Sequence, residues 1–233
     1  MDKFSSSLRP AQKARIYAFL RPLFGRHLLD QLRLHRNFYF YRKAGIIFIH
    51  IPKAAGSSIS HSLYGRSLGH FSASQLLAFR PSALSTHYSF SVVRHPLSRL
   101  RSAYNYIRSK GTAFGSIAPN ATYLADDFQT FESFLKSWLP RQNLSSLDPV
   151  LRPQSNFLCD YKGLLLIGQV FKLENLHLHW PFIRSHGHLY QKNLERRNVN
   201  SYRSFDSHLD EDELERLVGD FYATDIELWD KAI

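Results

Sequence analysis

Residues 46–58 read Ile46-Ile47-Phe48-Ile49-His50-Ile51-Pro52-Lys53-Ala54-Ala55-Gly56-Ser57-Ser58. The first six are mostly apolar and β-branched, and Pro52 stops them, which predicts a short buried parallel strand. Pro52 to Gly56 is a tight turn, and residues 57–64 have helical potential. Strand, short loop and helix in that order put free backbone N–H groups and the positive end of a helix dipole beside the strand's C-terminal end. That is an anion site. Lys53 adds a point charge to it, and Ser57 and Ser58 add hydroxyl donors. The loop is not the G-x-x-x-x-G-K-[ST] loop of ordinary ATPases and GTPases. The leading glycine is absent, and the lysine precedes the glycine.

The same order recurs downstream. Residues 88–93 predict a second strand, ended by Arg94-His95-Pro96. Proline suits the first turn of a helix, here predicted over 97–107. Further expectations are helices at 70–79, 128–139 and 174–185, with Glu174 capping the last, and strands at 163–168 and 170–173. A terminal amphipathic helix is expected over 210–233, with Leu214, Leu217, Val218, Phe221, Tyr222, Ile226 and Trp229 at helical spacing. Strands alternating with helices indicate an α/β fold, a P-loop-like (nucleotide-kinase-like) parallel sheet flanked by helices, with ligands at the strands' C-terminal ends.

In the second segment Arg94 lies at a strand end and can grip a phosphate through two parallel hydrogen bonds. Ser98 and Ser102 are four residues apart and share one helix face, so Ser102 can close the same site. Leu97, Leu100 and Tyr104 face the core.

Together the two segments resemble the paired nucleotide motifs of sulfotransferases. The first resembles their 5′-phosphosulfate loop. The second, Arg94-His95-Pro96-Leu97-Ser98-Arg99-Leu100-Arg101-Ser102-Ala103-Tyr104, matches every specified position of their 3′-phosphate motif, R-x-P-x-x-R-x-x-S-x-Y. The likeness is to carbohydrate sulfotransferases, the Golgi-type glycan enzymes and their bacterial relatives, whose first loop commonly reads I-P-K-T-A-G-T-S. Here Ala54 replaces the first Thr, removing one hydroxyl, and Ser57 replaces the second, keeping it. Arg152-Pro153-Gln154 and Phe171-Lys172-Leu173-Glu174-Asn175-Leu176 resemble the family's later segments. Tyr222-Ala223-Thr224-Asp225-Ile226-Glu227-Leu228-Trp229 resembles its Y-x-x-D-x-x-x-F ending.

The resemblance implies transfer of a sulfuryl group from 3′-phosphoadenosine 5′-phosphosulfate (PAPS) to a hydroxyl, leaving 3′-phosphoadenosine 5′-phosphate (PAP), without a metal. It implies that Lys53 neutralises the bridging oxygen and that Ala54, Ala55, Gly56, Ser57 and Ser58 hold the 5′-phosphate. Arg94 and Ser102 would read the 3′-phosphate, Tyr202 or Arg203 would lie by the nucleotide, and Gln154 would contact the acceptor. Relatives that use a histidine base carry it between the two motifs, often as Gly-His, and Gly69-His70 fits. His61, four residues after Ser57, is the alternative base, and His87 a third. The acceptor implied is a glycan or glycolipid hydroxyl. Two other readings stay open: a P-loop-like small-molecule kinase, and a non-catalytic basic module that binds anions or glycans.

Charge and composition fit this picture. The 233 residues hold 30 Lys+Arg against 19 Asp+Glu, a net +11. Ten of the acids lie between Asp206 and Asp230, so residues 1–205 carry 28 bases and 9 acids, or +19. Such a body favours anionic ligands; no nucleic-acid partner is expected. The acidic terminal helix is expected to cover part of it. A hydrophobic content of 44% excludes a wholly disordered basic tail. The single cysteine, Cys159, cannot form an internal disulfide and fits a reducing compartment. Residues 1–44 are expected to be a basic helical extension and 45–233 the transferase domain. The extension's stripe of Ile16, Phe19, Leu20, Leu23, Leu28, Leu29 and Leu32 either packs on the domain or meets a membrane surface or the acceptor. Arg15, Arg21 and Arg26 interrupt it, so neither a secretory leader nor a membrane span is expected. The sequons at Asn120 and Asn143 are then chance matches. The expected location is cytoplasmic, of bacterial type, with the Golgi lumen as alternative for a trimmed chain. Oligomeric state is left open.

Overall fold

The strand predicted from Ile46 onward forms and is one of three parallel neighbours. The computed structural model describes residues 28–112, 115–116, 120–191, 193–194 and 209–233. Helix α1 runs to residue 44 from the first described residue, 28. It is followed by β1 (Ile46–Ile49), α2 (Gly56–Tyr64), α3 (Ala73–Phe79), β2 (Tyr88–Val93) and α4 (Pro96–Arg108). The third strand, β3 (Gln169–Lys172), leads to α5 (Leu176–Ser185) and α6 (Glu211–Lys231). The sheet order is β1-β2-β3, with Ile49 opposite Ser91 and Ser91 opposite Val170. The chain is thus α/β with a small parallel sheet and helices.

Two cores hold the elements. The first gathers the sheet with Leu34, Phe38 and Tyr41 of α1 and Ile59 and Leu63 of α2. Hence α1 is no detached extension over its described part: Leu29 is buried, while Leu28 and Leu32 are exposed. The part of the apolar stripe before residue 28 lies outside the described residues. The second core packs Leu97, Leu100 and Tyr104 of α4 against Phe128, Phe134 and Trp138 and against Leu214, Val218 and Tyr222 of α6.

Strand edges are closed by side chains and by the chain end. Tyr64 of α2 reaches the free side of β1, where its hydroxyl donates to the Ile46 carbonyl at 3.1 Å and accepts from the Phe48 N–H at 2.9 Å. On the outer side of β3, Ile233 donates its N–H to Val170 O and accepts from Lys172 N. Unpaired edge groups invite wrong pairing, and both sets are used.

Three expectations are corrected. Residues 163–168 do not form a strand of the sheet. The Asp160 carboxylate accepts from Lys162 N and Leu164 N, making a tight turn, and only Cys159 and Leu165 pair across it. Leu164 and Leu165 face solvent, so the apolar run is not a buried one. Residues 128–139 form not one α-helix but a short turn of α-helix at Phe131–Ser133, a π-helical stretch at Phe134–Trp138 and a 3₁₀ turn at Leu139–Arg141. Glu174 does not cap α5, whose N-cap is Asn175; its carboxylate accepts from His95 N and Trp229 Nε1. The sequon asparagines each cap a 3₁₀ turn, accepting from Thr122 N and Ser145 N. The terminal helix does cover bases of the body. Arg101 pairs with both oxygens of Glu211, at 2.7 and 2.6 Å, and Lys136 with Glu213.

Candidate active site

The loop after β1 is shaped by two residues that adopt an unusual backbone. Lys53 and Ala55 have φ of 69° and 56°, in the left-handed region that non-glycine residues rarely occupy. Each costs about 1–2 kcal/mol of backbone strain. Strain of this kind persists where the surroundings over-determine it, and functional sites are where it gathers. Ala55 is the N-cap of α2 and has no side chain with which to cap it. The N–H groups of Gly56 and Ser57 therefore have no acceptor within the helix. Gly56 is required for space: a Cβ there would lie 1.8 Å from His50 Cδ2.

Lys53 comes from this loop and Arg94 from the end of the neighbouring strand β2, and the two cations feel each other. Burial, and then Arg94, lower the Lys53 pKa to about 8. The Nζ atom rests 4.4 Å from the centre of the Tyr106 ring, so its neighbours are a π-face and a second cation. Ser57 on α2 and Ser98 and Ser102 on α4 are half-buried, and Ser58 is buried. Two neighbouring cations beside an uncapped helix start fit a ligand with more than one negative charge.

His70 stands next to this loop, one imidazole away. The His50 ring packs on Gly56 on one side and on His70 on the other, with the two imidazole centres 4.2 Å apart. His70 Nδ1 lies 3.3 Å from the His50 carbonyl oxygen. A carbonyl can only accept, so Nδ1 carries the proton and Nε2 keeps the lone pair. Protein packed around His70 pushes its pKa down, to about 4, and Arg33 of α1 adds to this, while the bond to the His50 carbonyl opposes it. Water reaching the exposed edge of the ring also works against the shift. His70 is thus neutral at pH 7 and able to accept a proton. It lines a cleft of about 340 Å³ together with Gln75, Arg152, Asn156, Asp160 and Tyr161.

The other two histidines have other surroundings. His61 points an edge at Tyr190, with ring centres 5.9 Å apart. His87 is committed locally, its Nδ1 within 3.1 Å of Ala83 O and its ring against Phe38. Gln154, expected at the acceptor, is fully buried, and both ends of its amide bond the Arg94 backbone. Being fully buried, it presents no surface to an acceptor. Tyr202 and Arg203 lie outside the described residues.

A model of the sulfotransferase family matches residues 36–231. The chain belongs to the sulfotransferase family. No curated protein and no solved structure matches it. As a sulfotransferase it is a transferase of sulfuryl groups, and the two segments read from the sequence sit at adjacent strand ends, where an α/β sheet binds its ligands. Among the described residues no cluster of three or more His, Cys, Asp or Glu could hold a metal ion, and no helix is long and apolar enough to cross a membrane.

Sequence reasoning gave no role to three residues of this sulfotransferase. Arg99, a fixed position of the second motif, is fully buried, and its guanidinium donates to the carbonyls of Pro52, Val150 and Arg152. Asp225, in the tail resemblance, is buried and accepts from Gln154 N and Ser155 N. His50 looks like any strand residue in the sequence, and only the contact with Gly56 reveals what its ring does.

Proposed function

We propose that the enzyme transfers the sulfuryl group of PAPS to a hydroxyl of a carbohydrate-like acceptor, by in-line displacement with His70 as base. The observation that carries this is the position of Lys53 and Arg94 just after the adjacent parallel strands β1 and β2, beside a helix start that no side chain caps. PAPS has phosphate-type charge at both its 3′ and 5′ positions, so a phosphate-cradling loop and a second cation on the next strand match it, whereas ATP has no 3′-phosphate.

In this reading the loop Ala54-Ala55-Gly56, through the N–H groups of Gly56 and Ser57 at the start of α2, and the hydroxyls of Ser57 and Ser58 hold the 5′-phosphate. Arg94 and Ser102 hold the 3′-phosphate, and Tyr202 lies by the nucleotide. His70 Nε2 takes the acceptor's proton as its oxygen attacks sulfur. The bond from sulfur to the 5′-phosphate oxygen breaks, and Lys53 neutralises the charge gathering on that oxygen. Positioning and electrostatics supply most of the rate, as in phosphoryl transfer. The acceptor lies in the cleft at His70, whose polar amides and Tyr161 ring suit a sugar's mixed polar and apolar faces.

Calorimetry with PAP, ATP and 5′-AMP tests the donor. PAP is expected to bind at least tenfold more tightly than either, because a bound phosphate on a bidentate Arg contributes about 1.5–3 kcal/mol. Equal or absent binding refutes the reading. Sulfate transfer from PAPS to a panel of glycans then identifies the acceptor.

A further inference from the structure

We infer that residues 150–155 are a hub that fixes the distance between the two phosphate-binding segments, with the buried Gln154, Arg99 and Asp225 as its positioning residues. The inference rests on the donor reading above.

The hub is bonded to both segments. Gln154 Nε2 donates to Arg94 O at 2.8 Å, and Gln154 Oε1 accepts from Arg94 N at 3.0 Å. One side chain thus holds both backbone groups of the residue whose guanidinium reads the 3′-phosphate. Arg94 follows the last residue of β2, so this clamp does for it what the sheet ladder does for the strand. On the other side, Arg99 Nε donates to Pro52 O at 3.2 Å, directly before Lys53, and Arg99 NH2 donates to Arg152 O at 2.6 Å and Val150 O at 3.3 Å. Lys53 and Arg94 are therefore connected through Pro52, Arg99, the hub and Gln154, with every bond direct.

The hub is itself anchored to α6. The Asp225 carboxylate accepts from Gln154 N at 2.7 Å and Ser155 N at 2.9 Å, and the Tyr222 hydroxyl donates to Leu151 O at 2.7 Å. The helix is bent at this place: Tyr222 has non-helical φ and ψ of −121° and 31°. Charge inside a protein is a poor source of stability, since apolar side chains of the same volume often do as well or better. What a buried guanidinium on three carbonyls supplies is fixed geometry. That geometry matters for a ligand that must meet two subsites at once. Its second phosphate gains affinity only if the second site already stands at the right span. Loosening the hub leaves each subsite able to bind one phosphate and removes the joint advantage.

The test measures binding of PAP, 5′-AMP and 3′-AMP to the full-length wild type, Gln154→Met and Arg99→Lys. Methionine keeps the length of Gln154 and deletes its amide; lysine keeps the charge of Arg99 and deletes its fork. In both variants PAP is expected to weaken about tenfold or more, and each monophosphate less than about threefold. Proportional losses for all three ligands would mean a merely structural role and overturn the inference, as would unchanged PAP binding. Should either variant fail to fold, Tyr222→Phe removes a single hub bond and is read by the same ratio. A wild type that binds no PAP fails the donor reading, whereas a wild type that binds PAP beside a Gln154→Met variant of unchanged ratio fails the hub alone.

Discussion

Raising the pH from 7 to 9.5 is expected to weaken PAP binding by about 30-fold, through Lys53. In the free protein its pKa is lowered to about 8 by burial and by Arg94. A phosphate dianion beside it removes that penalty and returns it toward about 10.5, the ordinary lysine value. A group whose pKa rises on binding takes up a proton, so affinity is full below pH 8 and is lost as pH rises between the two values. At pH 9.5 the free site holds the proton in about one molecule in 30 and the complex in nearly all, a difference of about 2 kcal/mol. Other groups at the site are silent in this range. Tyr106 has its pKa raised by burial, and phosphate monoesters are already dianions above pH 7. Titration calorimetry in buffers of different ionisation heat should show uptake of close to one proton at pH 9. Lys53→Met should bind PAP weakly at every pH and show no uptake. A dissociation constant flat to pH 9.5, or the same slope in Lys53→Met, refutes the assignment of Lys53 to the phosphate site.

Three further outcomes are expected. His70→Ala should lower kcat about 10²–10⁴-fold with PAP affinity unchanged, whereas His61→Ala should stay within about twofold; full turnover by His70→Ala would place the base elsewhere. Gly56→Ala drives a methyl into the His50 ring, 1.8 Å from Cδ2, and should cost about 1–3 kcal/mol in thermal unfolding. His50→Ala in the same chain should recover part of that loss, and no recovery would mean that the clash is not the cause. PAP at 100 times its dissociation constant should stabilise the fold by about 2.7 kcal/mol, which raises Tm by roughly 5–10 °C for a chain of this size. Sulfate alone should do less, since it reaches one subsite.

How much of the fold was legible depended on how local its cause was. Ile46–Ile49 is apolar throughout, Tyr88–Val93 alternates aromatic residues with serine before two valines, and both are strands of the sheet with nearly every residue buried. The run at residues 163–168 is just as apolar, yet Asp160 turns the chain there and leaves Leu164 and Leu165 outside. Apolar content gave the wrong answer because a hydrogen-bonded turn outside the run decides the path. The π-helical stretch at Phe134–Trp138 has a similar origin. Phe134 and Trp138 pack with Tyr104 and Phe128 from other parts of the chain, and no periodicity within the stretch records those partners.

The site divides the same way. Short spacing and the rule that strand ends bind ligands single out Lys53, Gly56 and Arg94, and the structure sets Lys53 in the loop after β1, Gly56 at the start of α2 and Arg94 directly after β2. Gln154 was misplaced for an instructive reason. A polar residue between Pro153 and Ser155 invites a ligand in the sequence, but its amide is consumed by a backbone 60 positions away in the chain. Arg99 likewise looks like one more base of a basic helix, though it is the one buried in the structure, bonded to carbonyls 47 to 53 positions distant. A motif therefore mixes two kinds of residue that a pattern cannot separate: those that touch the ligand and those that hold the first kind in place. In R-x-P-x-x-R-x-x-S-x-Y, Arg94 and Ser102 are of the first kind in the proposed reading. Arg99 belongs to the second, and so does Tyr104, whose hydroxyl donates to Phe128 O and Gln129 O. Burial sorts them: Arg94 and Ser102 keep surface for a ligand, and Arg99 and Tyr104 keep almost none. The net positive charge met first in the sequence is divided by the same test, since a base counts toward anion binding only where the fold leaves its charge a face to present.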